Sequence, residues 1–169
     1  RNLDGSTRIT AIWDQTEQSG TPPEGFAYGS EYSGEMINAA LQTEDPRSLV
    51  PSVDESGHGT YAASIASGGA DAGEQFLGAA PGASIAMVKL KQAKDYLRDY
   101  YFIPRDAVCY QETDLMLGLK YLNDLADRLR LPLVICITVG TSMGGHIGTL
   151  PFPFLIEGYS TRANRITVI

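Results

Sequence analysis

Four short runs constrain the fold most: "RITAIW" (8–13), "ASIAMVKL" (83–90), "LVICITV" (133–139) and "RITVI" (165–169). Each is apolar along most of its length and rich in β-branched residues, the pattern of a strand buried on both faces. Helical patterns lie between them. "EMINAAL" (35–41) carries a one-sided stripe of Met36, Ile37, Ala40 and Leu41, with Ser33 as its N-cap. A second helix begins at His58, carries Ala62, Ala63, Ile65 and Ala66, and stops at Gly68-Gly69. "TDLMLGLKYLNDLADRLR" (113–130) is the clearest helix, with Leu115, Leu119, Leu122, Ala126 and Leu129 on one face. Thr113 is its expected cap, and Pro132 ends it. Apolar strands alternating with helices predict an α/β fold: a parallel β-sheet with helices on both faces. In such sheets functional groups gather at the carboxyl ends of the strands, which singles out Asp14 and the segment Gly140-Thr141-Ser142.

The remaining stretches read as connections. Residues 15–34 are dense in Gly, Pro and Ser and predict a long surface loop; residues 42–56 predict another. The chain of 169 residues is long enough for one domain. Its net charge of -7 argues against a nucleic-acid partner and against an acidic membrane surface. No apolar run reaches the length of a membrane span. Arg1 is neither an initiator Met nor part of a signal peptide, so the chain reads as a piece of something longer. Cys109 and Cys136 have no metal or redox spacing and read as two buried thiols. No Gly-x-Gly-x-x-Gly loop joins a strand to a helix, which disfavours a nucleotide-binding domain.

One of only two histidines, His58, stands between Gly57 and Gly59 at the start of a helix. A histidine acting as general base needs a fixed ring and access to substrate. The first turn of a helix fixes the backbone, and small neighbours let substrate and partner side chains approach. Thr60 can hydrogen-bond locally there.

The segment "GHGTYAASIASG" (57–68) resembles the histidine motif of the subtilisin-like serine proteases, the subtilases, in which His-Gly-Thr opens a long buried helix. Two further segments agree in order. "GAAPGASIAMVKL" (78–90) is similar to the strand after the histidine helix, and "LVICITVG" (133–140) to the strand whose edge binds substrate peptide. The resemblance is nearest to the clostridial branch that includes the spore-germination proteases. It makes residues 15–34 and 91–108 family inserts, and residues 1–169 an internal fragment of one catalytic domain. Tyr61 replaces a second histidine that is not catalytic in the family.

The resemblance implies a Ser-His-Asp triad hydrolysing peptide bonds, with His58 as general base. Asp14 is one candidate for the aspartate. The family's Asp-Thr-Gly motif does not match Asp14-Gln15-Thr16, however, which favours an aspartate upstream of Arg1. Ser142, in "GTSMGG" (140–145), copies four letters of the nucleophile motif. It follows the substrate-edge strand directly, and the glycines after it start no helix, so it is not expected to be the nucleophile. His146 reads as a loop residue. Thr138, Val139 and Gly140 match the edge that pairs with extended peptide in the family, a form of strand addition. The isolated chain is therefore expected to be inactive. No cofactor is expected: structural calcium is common in the family, but no carboxylate spacing here marks a site. The implied partners are a peptide or protein substrate and the remainder of the parent domain. The family's setting suggests a bacterial, secreted or spore-associated protein. A pseudoprotease acting as sensor or binding partner in spore germination is the alternative.

Overall fold

The computed structural model describes residues 1–69, 76–140 and 148–168. The chain divides into two compact units, Arg1–Lys89 and Leu90–Ile169.

The first unit is built on β1 (Ile9–Asp14), the run read from the sequence as a buried strand. It pairs in parallel with β3 (Ile85–Lys89), in a register that sets Asp14 opposite Lys89. Its other edge pairs antiparallel with β2 (Ser30–Ser33). The sheet order is thus β2-β1-β3. β2 corrects the expectation of a surface loop over 15–34. Gln15, Pro23, Ser30 and Tyr32 in this stretch are buried. The reason lies in Trp13, which is fully buried and packs against Phe26 and Tyr28 of the same stretch, at centroid distances of 4.6 and 5.4 Å. The Trp13 indole N–H donates to the Tyr28 carbonyl at 3.2 Å, so the ring's one polar atom is satisfied. Gly29 has a φ of 77°, and a Cβ there would collide with the indole and the backbone of Asp14. Glycine at this position thus serves both the left-handed turn and the close approach.

Helix α1 (Gly34–Ala40) follows directly, and Ser33 caps it as expected by accepting from the Met36 amide at 3.3 Å. A short 3-10 turn, Pro46–Ser48, interrupts the next loop. Helix α2 (His58–Ser67) ends at Gly68. Within this chain Ser67 is its one buried residue, and Tyr61 and Ile65 are exposed.

The second unit opens with α3 (Asp95–Tyr100), a helix inside the 91–108 insert. The insert is held from within by Arg98, which is buried. Its guanidinium donates to the carbonyls of Ala93, Pro104 and Ala107 at 3.2, 3.4 and 2.8 Å and to the Gln92 side chain. Helix α4 (Glu112–Leu129) is the long helix read from the sequence, but Thr113 does not cap it. Gln111 is the capping residue by position, and its amide donates to the Thr113 hydroxyl instead. Arg130 closes the helix in the left-handed conformation, with φ 55°. Strand β4 (Leu133–Cys136) pairs in parallel with β5 (Arg165–Val168), and α4 packs against β4. Helix α5 (Pro151–Ser160), with Pro151 at its start, packs against α4 and β5. The apolar run predicted a strand over 133–139; β4 is shorter, although the Ile137 amide still donates to the Val168 carbonyl at 2.8 Å. Cys136 is exposed and Cys109 half-buried, which corrects the reading of two buried thiols.

Candidate active site

The carboxyl ends of β1 and β3 lie side by side, and Asp14 ends the first of them. Its carboxylate is buried and fully engaged. Oδ1 accepts from the Thr16 amide at 2.8 Å and the Thr16 hydroxyl at 2.6 Å; Oδ2 accepts from the Ser52 hydroxyl at 2.6 Å, with the Lys89 ammonium at 3.4 Å. Burial alone would push this carboxyl up. The hydrogen bonds from Ser52 and Thr16, with the charge of Lys89, outweigh it and hold the pKa below the ordinary value. Asp14 therefore stays ionised and serves as a tie. Through Ser52 it fastens the loop that leads into α2 to the end of the central strand.

His58 is the first residue of α2 and is exposed. The residue before it, Gly57, adopts the left-handed conformation with φ 76°, and a Cβ there would meet nothing within 4 Å. Glycine at 57 is thus demanded by backbone conformation, which costs other L-residues about 1–2 kcal/mol, and not by space. A Cβ on Gly59 would lie at an ordinary 3.5 Å from Asp54 Oδ2.

Gly57 has no side chain with which to cap α2, and Asp54 does so from three residues upstream. Asp54 Oδ2 accepts from the amide and the hydroxyl of Thr60, both at 2.7 Å. Oδ1 accepts from the Gly57 amide at 2.9 Å and the Ser56 hydroxyl at 3.3 Å. The Ser56 hydroxyl oxygen in turn accepts from the His58 amide at 3.2 Å. The bonds from Thr60 dominate in pulling the Asp54 pKa down to about 2, with those from Gly57 and Ser56 adding to them against slight desolvation. Sequence reading missed Asp54, Ser52 and Lys89. For Asp54 a signal was present: an acidic residue just ahead of a helix start whose own cap position is glycine.

Thr138, Val139 and Gly140 lie past the end of β4 rather than in it; Thr138 and Gly140 are exposed and Val139 is half-buried. Ser142 and His146 fall outside the described residues. Among the described residues no group of three or more His, Cys, Asp or Glu side chains is placed to hold a metal ion.

His58 thus stands at the head of a helix in a Gly-His-Gly-Thr context, the context of the subtilase histidine motif. The subtilase family matches residues 28–101, a span that contains His58 and α2. The chain is subtilisin-like and close to the clostridial branch. Among solved structures it is similar to the CspB protease of Clostridium perfringens, at 31% identity and a TM-score of 0.78. That match covers 99% of this chain and 31% of the CspB chain, so these residues span about a third of the neighbour's length. No curated protein matches the chain.

Proposed function

We propose that the protein containing this chain is a serine endopeptidase, with His58 as the general base of a Ser-His-Asp triad. The observation that carries the reading is the placement of His58: exposed, on the first residue of a helix, inside the segment that the subtilase family matches. In the reaction His58 takes the proton of a serine hydroxyl as that oxygen attacks the scissile carbonyl, then gives it to the leaving amine. An aspartate holds the imidazolium, and hydrogen-bond donors stabilise the oxyanion. In this reading Asp14 is a scaffold residue rather than that aspartate, which is supported by the partners its two oxygens already have in Thr16, Ser52 and Lys89. The aspartate and the nucleophile are then contributed by other parts of the protein. The segment Thr138 to Gly140, exposed at Thr138 and Gly140, is the one along which an extended peptide pairs. No cofactor is called for.

A fluorophosphonate probe tests the reading. The full-length protein is expected to be labelled on a serine outside residues 1–169, and residues 1–169 alone neither to be labelled nor to cleave peptides. Stoichiometric labelling of Ser142, located by peptide mass spectrometry, would overturn the assignment of the nucleophile.

A further inference from the structure

Asp54 takes no part in the reaction as set out above, yet its carboxylate is the acceptor around which the approach to α2 is organised. Its four hydrogen bonds come from residues on both sides of His58: Ser56 and Gly57 before it, and Thr60 after it. Thr60 is the third residue of the helix, the position whose amide a capping side chain normally satisfies. The clamp therefore closes over the backbone of His58, and Ser56 adds a second path by bonding both the His58 amide and Asp54.

We infer that Asp54 is a positioning residue for His58: it fixes the backbone direction on the first residue of α2 and through it the placement of the imidazole. A misplacement of about 1 Å at a reacting group costs roughly a hundredfold in rate. The left-handed Gly57 makes the point sharper. The chain turns abruptly just before His58, and Asp54 holds that turn at the Gly57 amide on one side and at Thr60 of the helix on the other. This inference rests on His58 being the general base.

The test uses the full-length protein with three variants, Asp54→Ala, Asp54→Asn and His58→Ala, assayed on a chromogenic peptide. Asp54→Ala is expected to lower kcat roughly ten- to a hundredfold with KM within about twofold. Asp54→Asn, whose amide oxygen can still accept from Thr60, is expected to recover most of the loss. An Asp54→Ala kcat within about twofold of the parent, or equal losses in both variants, would overturn the inference. If Asp54→Ala does not fold, Asp54→Asn decides alone: near-parental kcat supports the clamp and a tenfold loss refutes it. Full activity in His58→Ala would sink the reading of the base itself. In that case amide exchange at Thr60 still judges the clamp, since it must quicken in a folded Asp54 variant that lacks the acceptor, and unchanged exchange refutes it.

Discussion

At the scale of single residues, two aspartates divide the work of holding the approach to His58. Asp14 is buried and ties the loop through Ser52 to the central strand, whereas Asp54 is exposed and caps the helix. The two should respond to acid differently in visibility. The Asp54 carboxyl is held at about 2 against an ordinary 3.8. A folded pKa below the unfolded one means that the stabilisation is fully present above the unfolded value and is lost as pH falls through the folded one. The bonds from Thr60 should therefore persist unchanged from neutral pH down to about 4 and weaken between there and about 2. The Thr60 amide chemical shift, followed by NMR through an acid titration, is expected to move with a midpoint near the bottom of that window. A midpoint at the ordinary aspartate value would show that the carboxylate does not cap α2.

At the scale of elements, the insert over 91–108 shows how a segment with no apolar periodicity acquires structure. Its organiser is one buried cation. Arg98 satisfies three carbonyls and a side-chain amide at once, and Arg105 adds exposed ion pairs to Asp95 and Asp99. Exposed pairs of this kind contribute little, so the internal arginine decides. Arg98→Ala takes the donor from the buried Ala93 carbonyl and the part-buried carbonyls of Pro104 and Ala107, and should destabilise the unit that contains it by about 2–4 kcal/mol. Arg105→Ala should cost less than about 1 kcal/mol. Urea unfolding followed by circular dichroism separates the two, and equal effects would mean that the insert is not organised around Arg98. The same element shows where sequence reading stops. β1, β3, β4 and β5 were legible because apolar β-branched runs announce themselves, and α4 because its stripe repeats over five turns. β2 and α3 were not legible, since Trp13 and Arg98 dictate them through contacts with segments that look like loops. α5 carries Pro151 at its first helical position, where proline favours a helix, a signal the sequence reading did not use.

At the scale of the whole molecule, the candidate site was half legible. His58 was marked by its motif, and the structure puts it at a helix start as expected. The devices around it were hidden, because Asp54, Ser52 and Lys89 belong to no motif and act only through geometry. Asp14 was visible for its place at a strand end, but its role is decided by partners that are 38 and 75 residues away in sequence. The central claim is that His58 carries the chemistry and Asp14 only the scaffold. The most direct measurement compares the turnover of purified full-length His58→Ala and Asp14→Ala on a peptide substrate, with circular dichroism to establish that each is folded. Removing the base is expected to lower turnover by about four orders of magnitude or more, since a triad acts as a unit. Removing the tie is expected to leave turnover within about tenfold of the parent, its cost falling mainly on stability. A folded Asp14→Ala as inactive as His58→Ala, or a His58→Ala with full turnover, would contradict that account.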